Sequence, residues 1–414
     1  MRQRELGLTE ASLFVASRLG YGCQVNSMLA DVEIDVDRLR DAVLLVQKQH
    51  PMLSGVIVSH AGRPSIRCLD RPVDLLETTT VETASIDLEM LEEIVDSSLP
   101  ADRPPWKLLF HQAASGPHLF TIHSNHLLGD GRAMLGVLGA ILNAATGRSS
   151  MVDRHALPPS IESVMCPGMG LTECVIGGGP MRTTPCTAWV PEHPSPGGRA
   201  ARTMFARDTI KDEMAQRFFE RCRRERIRVT GLLAVVSGRA VLDVLPPRTR
   251  TDVMPMDILF DGFGNADRDP CCVAIHRVMA MLPIEVLRID EVGAAARRIQ
   301  RIISMELDRG LALPDTLDAA SFPVAVEHYM RSAVHACPIS VSNLGVAPLP
   351  TCGGVCDVHG HVAKGGGPGR ILLESITTPS GWHLDWSWDD SAFEEADVSR
   401  VRAFVVAQLE SGWI

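Results

Sequence analysis

Hydrophobic positions in the first 165 residues recur with two different spacings. In DVDRLRDAVLLVQKQHP, Leu39, Val43 and Val46 lie three or four positions apart, which predicts an amphipathic helix that ends before the proline. The segments LSGVIVS, WKLLFHQA and PHLFTIHSNH predict strands, of which the last two pair. Another strand is predicted around residues 28–34, and RAMLGVLGAILNAATG predicts an apolar helix. Strands mixed with helices predict an α/β fold.

The composition changes between residues 166 and 200. There CPGMGLTECVIGGGPMRTTPCTAWVPEHPSPGG is dominated by Gly, Pro and Thr, which predicts a linker between an N-terminal half (1–165) and a C-terminal half (201–414). In the second half, DTIKDEMAQRFFERCRRERIR and VTGLLAVVSGRAVLDVL predict helices, and a closing helix is predicted over 395–409. The segments VAIHRVMAMLPIEV, PISVSNLG, RILLESITT and GWHLDWSWD predict strands.

Composition and charge exclude several classes of protein. Of 414 residues, 45% are hydrophobic and 22% are charged, as in globular proteins that bury a large interior. The formal net charge of −10 disfavours attraction to nucleic acid or to anionic membranes. The N-terminus has no apolar core of the signal-peptide kind, and no later segment has about 18 uninterrupted apolar residues. We therefore expect a cytoplasmic protein without a membrane span.

The cysteines predict reduced thiols rather than disulfides. Their number, 11, is odd, and they are scattered through the chain. One cluster, CGGVCDVHGH, places Cys352, Cys356, His359 and His361 close together in the sequence. This spacing matches none of the common structural zinc patterns, and the glycines favour a flexible loop equally well. The sequence alone therefore predicts no metal site.

HSNHLLGDGRAM, residues 123–134, has two histidines and an aspartate at the end of an apolar run. Alternation along a strand puts His126 on one face and His123 and Asn125 on the other, so one metal ion shared by both histidines is disfavoured. The glycines flanking Asp130 permit a sharp turn with positive φ, in which Asp130 caps the following helix. His126 at a strand end is equally well explained by a bond to a backbone carbonyl or by proton transfer.

The segment HLLGDG, from His126 to Gly131, resembles the HxxxDG signature of the chloramphenicol acetyltransferase-like superfamily. That superfamily includes peptide-synthetase condensation domains, plant BAHD acyltransferases and mycobacterial polyketide-associated acyltransferases. IDVDRLRDAVLLVQKQHPMLSGVI, DRPPWKLLF, PISVSNLGVAPLP and GWHLDWSWDDSAFEEADVSRV are similar to further family segments and occur in the family's order. The resemblance spans nearly the whole chain.

This resemblance implies a fold of two chloramphenicol acetyltransferase-like α/β halves. Each half has a mixed sheet with flanking helices, and an active-site channel lies at their interface. The implied activity is transfer of an acyl group from a thioester to a hydroxyl or amine. The donor is acyl-coenzyme A or a phosphopantetheinyl thioester on an acyl or peptidyl carrier protein, and no permanently bound cofactor is implied.

The resemblance also implies roles for individual residues. His126 is the general base, neutral at cytosolic pH because an ordinary histidine pKa is about 6.5. Asp130 is structural and forms a salt bridge to an arginine, whereas Gly131 serves the turn and the close approach of substrate. Ser342 and Asn343 in VSNLG are candidates for contacts with the oxyanion or the substrate, although backbone hydrogen bonding at a strand end explains them equally well.

The sequence departs from the family pattern at two positions. Leu259 stands near the position of the arginine that pairs with the motif aspartate, which leaves Arg248, Arg250, Arg268 or another residue as its substitute. Asn125 replaces the first histidine of the doubled histidine that is common in condensation domains. That position is less essential than the second, so activity remains the expectation.

Several alternatives stay open. A stand-alone condensation enzyme would require carrier-bound substrates, and an altered or inactive member would bind a tethered intermediate or convert it by cyclisation or epimerisation.

A basic stretch of the second half has two explanations. It is either a solvated helix face or an electrostatic binding site for coenzyme A phosphates or an acidic carrier protein. It is formed by Arg217, Arg221, Arg223, Arg224, Arg226 and Arg228.

Overall fold

A computed structural model describes residues 3–60, 63–148, 156–160, 201–247, 251–261, 275–289, 291–308, 337–367 and 369–411. Within these ranges the chain forms nine α-helices and fourteen strands in three sheets. The predicted linker, residues 166–200, lies outside the described residues. No helix within the described ranges combines the length and hydrophobicity that a bilayer span requires.

The N-terminal half is built on a five-stranded mixed sheet. Its strands are β2 (Cys23–Ala30), β5 (Leu76–Val81), β6 (Trp106–Ala113), β7 (His118–Asn125) and β12 (Val355–Val362). They stand in the order β12-β2-β7-β6-β5, with β5 and β6 parallel and the other neighbours antiparallel. The helices α2 (Val36–Gln49) and α4 (Gly131–Ala145) supply buried residues to the core on one face.

Smaller elements complete this half. The strands β1 (Gln3–Glu5), β3 (Gly55–His60) and β4 (Arg63–Cys68) form a separate sheet in the order β1-β4-β3. The two remaining helices are α1 (Leu8–Arg18) and α3 (Leu88–Asp96). Leu91 and Val95 of α3 pack with Phe205 of the C-terminal half, so α3 lies where the two halves meet.

The C-terminal half is built on a six-stranded sheet. Its strands are β8 (Thr203–Ile210), β9 (Val253–Asp261), β10 (Ile275–Pro283), β11 (Ile339–Val346), β13 (Ile371–Thr378) and β14 (Gly381–Asp389), in the order β10-β9-β11-β13-β14-β8. Its helices are α5 (Asp212–Glu225), α6 (Val229–Val244), α7 (Ile284–Leu287), α8 (Val292–Asp308) and α9 (Glu395–Glu410). The predicted helix over 208–228 is wrong at its start, because residues 208–210 end β8.

The two faces of the C-terminal sheet differ in chemistry. One cross-strand row is buried in the core with the helices and consists of Ile258, Val341, Leu373, Trp386 and Ala206. The neighbouring row on the opposite face, called the polar row below, consists of Leu259, Ser342, Glu374, Asp385 and Arg207. Because side chains alternate along a strand, the polar row faces away from this core and toward the N-terminal half.

The two halves exchange a strand. The edge strand β12 comes from the C-terminal half of the sequence but pairs antiparallel with β2 of the N-terminal sheet. The expectation of a flexible loop around the glycines of CGGVCDVHGH is therefore wrong for residues 355–362. Apart from this exchange the predicted α/β class is confirmed, because each half carries a mixed sheet with flanking helices.

Candidate active site

His126 lies directly after the last residue of β7. It opens a short 3-10 turn, His126–Leu128, and its side chain is only 6% exposed. Its backbone N–H donates to the carbonyl of Gly22 at 2.8 Å, and its own carbonyl accepts from the N–H of Gly129 at 3.3 Å. The backbone of His126 is therefore fixed from both sides.

The surroundings of His126 favour the neutral imidazole. Burial lowers the pKa of His126 below its ordinary value, and nearby backbone carbonyls and the charge of Asp130 oppose this effect only in part. The ring Nδ1 is buried and has no hydrogen-bond partner in the described structure. A neutral imidazole is the form that can accept a proton.

Asp130 is the N-cap of α4. Its Oδ1 accepts from the backbone N–H of Ala133 at 2.8 Å, which satisfies one of the free donors at the start of the helix. The structural role expected for Asp130 therefore includes this cap. The arginines considered as its partners, Arg248, Arg250 and Arg268, lie outside the described residues.

The glycines around Asp130 do not have the expected backbone conformation. Gly129 has φ 166°, which is extended backbone, and Gly131 is the first residue of α4. A Cβ added at Gly131 would lie 3.6 Å from Asn26 Oδ1 and 3.8 Å from Leu344 Cδ1, both ordinary contacts. The expectation of positive φ is therefore wrong at both glycines, and the turn itself does not require a glycine at position 131.

Strand β2 supports the turn after His126 with amide side chains. The Nε2 of Gln24 donates to the carbonyl of Gly129 at 2.7 Å. Asn26 is 1% exposed, and neither its Oδ1 nor its Nδ2 has a hydrogen-bond partner in the described structure. Neither residue could be predicted from the sequence, because only the pairing of β2 with β7 brings them beside the motif.

The start of α4 meets the end of β11. The guanidinium of Arg132 donates to the carbonyls of Leu344 and Val346 at 2.8 and 2.7 Å. Ser342, two residues before Leu344, belongs to the polar row and is 6% exposed. The next residue, Asn343, uses its side chain locally and accepts from the N–H of Gly345 at 3.2 Å. The structure therefore gives Asn343 a local backbone contact and places Ser342 on the face toward the N-terminal half.

Glu374 is a titratable residue that sequence reasoning missed. It lies in the polar row between Ser342 and Asp385 and is only 6% exposed. Burial, with the negative charges of Asp385 and Asp130, raises the pKa of Glu374 to about 8. The carboxyl group is therefore mostly protonated at neutral pH and is a hydrogen-bond donor. Its signal in the sequence is a charged residue in the middle of the apolar strand RILLESITT.

Arg207, at the end of the polar row, joins the two sheets. Its Nε and Nη2 donate to the two carboxylate oxygens of Asp385 at 2.6 and 2.7 Å. The same guanidinium reaches β12, where it donates to the carbonyl of Val358 at 2.7 Å and to Asp357 Oδ1 at 3.2 Å. The buried carboxylate of Asp385, the half-buried carboxylate of Asp357 and one guanidinium thus form a network where the halves meet.

Other residues singled out from the sequence lie away from His126. His123 is fully buried, and burial lowers its pKa to about 3. The basic residues 217–228 lie along and just after α5, which packs through Phe218 against Trp382 in the core of the C-terminal half. Arg221 pairs within this stretch with Glu225 at 2.8 Å. A donor-binding role for the stretch stays a prediction.

Of the CGGVCDVHGH cluster, Cys352 precedes β12, whereas Cys356 and the two histidines lie on this strand. Cys352 is half-buried and Cys356 is exposed. His359 and His361 are buried on β12, 6% and 2% exposed, on the side that faces the C-terminal sheet. The structure brings the two histidines near Asp385.

Known structures match this fold over almost its whole length, whereas neither a protein-family model nor a curated protein matches the sequence. The condensation domain of the Monacolin K polyketide synthase MokA aligns with a TM-score of 0.72 and 12% identity, over 99% of this chain and 97% of that one. TRI3 trichothecene 15-O-acetyltransferase from Fusarium sporotrichioides aligns with a TM-score of 0.69 and 14% identity, over 99% and 95%. Polyketide synthase associated protein 5 from Mycobacterium tuberculosis aligns with a TM-score of 0.67 and 13% identity, over 98% and 97%.

These alignments define the class of fold. The chain has the fold of the MokA condensation domain and of the TRI3 acetyltransferase. The resemblance that HLLGDG and its flanking segments predicted is thereby confirmed at the level of the fold.

Proposed function

We propose that this protein is an acyltransferase that moves an acyl group from a thioester to a hydroxyl or amine acceptor, with His126 as the general base. The main support for this proposal is the position and charge state of His126. Its imidazole is buried just after β7 and has a lowered pKa, and the residue begins the HxxxDG-like turn. The fold shared with condensation domains and acetyltransferases supports the same class of reaction.

In the proposed reaction one proton is transferred, the thioester C–S bond breaks, and a C–O or C–N bond forms. His126 accepts the proton of the acceptor O–H or N–H while the heteroatom attacks the thioester carbonyl carbon. The resulting tetrahedral intermediate collapses when the C–S bond breaks, and the imidazolium returns the proton to the leaving thiolate. The sequence of steps needs no oxidant, reductant or bound metal.

The polar row supplies candidate donors for the oxyanion. The hydroxyl of Ser342 and the protonated carboxyl of Glu374 are neighbours on paired strands, and the pKa of Glu374 rises in part because of the charge of Asp130. A hydrogen bond to the developing oxyanion in a site that excludes water is usually a large contribution to acyl-transfer catalysis. We assign this role to Ser342 and Glu374 and give Asn343 a local structural role.

A thiol-release assay tests the proposal. The protein is mixed with acyl-coenzyme A thioesters of increasing chain length and with primary alcohols or amines, and free thiol is measured. We expect acceptor-dependent release that falls by about 10²–10⁴-fold in His126→Ala, because positioned proton transfer contributes that much. His123→Leu is the matched control, since that histidine is also buried but precedes the turn, and it should retain activity.

The identity of the acyl donor distinguishes the proposed acyltransferase from a condensation enzyme. Release from coenzyme A thioesters favours a free acyl-coenzyme A donor, whereas release only from an acyl or peptidyl carrier protein favours a condensation enzyme with tethered substrates. Equal release from wild type and His126→Ala would refute His126 as the base. Lack of acceptor-dependent release from both kinds of donor would refute the transferase.

A further inference from the structure

Two imidazoles and a carboxylate converge where strand β12 meets the C-terminal sheet. His359, His361 and Asp385 each offer a ligand atom, and these atoms lie within 4.8 Å of one another. All three side chains are buried, with exposures of 6%, 2% and 1%. Neutral imidazoles with a carboxylate form a donor set that suits zinc-type divalent cations.

The ring of His361 indicates a bound ligand, because it has no hydrogen-bond partner among the described residues. Both ring nitrogens are buried without a hydrogen-bond partner in the described structure. The ring stacks on Phe205 with 4.2 Å between centroids, so its plane is held by packing rather than by polar contacts.

His359 has the hydrogen-bonding arrangement of a metal ligand. Its Nε2 lies 3.2 Å from Asp357 Oδ2. The carboxylate of Asp357 also accepts from the hydroxyl of Ser380 at 2.6 Å and pairs with the guanidinium of Arg207 at 3.2 Å. Because an ionised carboxylate only accepts, Nε2 is the donor, and a neutral ring then presents a lone pair at the buried, unpartnered Nδ1. Metal-ligating histidines usually donate their second nitrogen to a carboxylate in this way.

Asp385 is held by Arg207, and the charges of the cluster still favour a cation. Both carboxylate oxygens of Asp385 accept from Arg207, but each keeps a second lone pair. The two carboxylates of Asp357 and Asp385 share the single guanidinium of Arg207.

We propose that His359, His361 and Asp385 bind one zinc-type divalent cation that links the two sheets. The histidines belong to the edge strand of the N-terminal sheet and the aspartate belongs to β14 of the C-terminal sheet. Ligand bonds of about 2.0–2.2 Å require the donors to move closer together when the cation binds. The fourth position is left for water. The thiols of Cys352 and Cys356, which lie near the two histidines in the sequence, take no part.

Zinc titration of chelator-treated protein tests the site. We expect wild type to bind one Zn²⁺ per chain more tightly than His361→Phe, by at least about tenfold. This variant removes both nitrogens but keeps an aromatic ring against Phe205. Cys356→Ser is the matched control and should bind like wild type, because Cys356 is exposed and outside the donor set. Thermal unfolding in excess chelator shows whether each variant is folded, and His359→Gln replaces His361→Phe if that variant is not.

Cobalt substitution gives a second readout that does not depend on activity. The Co²⁺ protein should show visible d–d bands without a thiolate-to-cobalt charge-transfer band, and these bands should be absent in His361→Phe. Equal Zn²⁺ affinity in wild type and the histidine variant would overturn the proposal. So would a failure of wild type to bind Zn²⁺, or a loss of binding in Cys356→Ser.

Discussion

Burial and backbone contacts together fix the charge state and the position of His126. The ring is kept neutral by its surroundings, while the backbone N–H is held by the carbonyl of Gly22. Gly22 is itself pressed against α1, because a Cβ at this position would lie 2.4 Å from both Leu13 O and Ser17 N. The position of the imidazole therefore depends on a glycine far from the motif in sequence.

Two glycine-to-alanine substitutions should have different effects on stability. Gly22→Ala forces backbone atoms of α1 to move and should lower the free energy of unfolding by about 1–3 kcal/mol, as overpacking does. Gly131→Ala makes only ordinary contacts and should change it by less than about 0.5 kcal/mol. Urea unfolding of both variants checks this. A Gly131→Ala variant as unstable as Gly22→Ala would contradict the geometry of the turn.

His126 and Asp130 could be predicted from the sequence, but their supporting residues could not. The motif places a histidine and a helix cap a few positions apart, and both lie where the local pattern indicated. Asn26, Glu374 and Arg207 come from β2, β13 and β8, and only the pairing of strands brings them to the site. No local pattern contains that information, because cross-strand neighbours lie far apart in the chain.

Strand β12 connects the N-terminal sheet with the C-terminal sheet. Its residues pair with β2 along most of its length, while Arg207 and the Asp357 carboxylate join it to β8 and β14. The strand was missed because VCDVHGHV has no clean apolar alternation and its partner lies more than 300 residues earlier. By contrast, the predicted strands WKLLFHQA and GWHLDWSWD match the observed bounds of β6 and β14, because their local pattern is strong.

Removal of Arg207 should be costly. Arg207→Met leaves Asp385, which is 1% exposed, without its counter-ion, and should lower the free energy of unfolding by about 3–5 kcal/mol. Arg402→Met is the matched control, because the Arg402–Asp208 pair is 22–23% exposed, and it should cost about 0–1 kcal/mol. Chemical denaturation measures both. Similar losses in the two variants would mean that the Arg207 network does not stabilise the connection.

At the scale of the whole molecule, the two halves of the sequence are not two independent units. The N-terminal sheet takes its edge strand from the C-terminal half, and α3 packs with Phe205 where the halves meet. Lys364 adds a polar link, since its Nζ donates to the carbonyl of Gly20 at 3.3 Å and lies 3.6 Å from Asp96 Oδ1. The predicted linker at 166–200 therefore separates two halves of the sequence, whereas the N-terminal sheet contains a strand from both sides of it.

Cleavage within residues 166–200 should leave the halves associated. A protease site introduced there and cut in the folded protein should give two fragments that elute together in size-exclusion chromatography, because β12 stays paired with β2. The two fragments should separate only under denaturing conditions. Separate elution of the fragments in native buffer would contradict the strand exchange.

The pH dependence of kcat/KM for thiol release shows whether a neutral, buried His126 accepts the proton. Because burial lowers the pKa of His126, the active base is present at neutral pH and is lost as the pH falls through that pKa. We predict a plateau through neutral pH and an acidic limb with its midpoint below about 6.5. A rate that still rises through neutral pH, with its midpoint above the ordinary histidine pKa of about 6.5, would contradict this assignment.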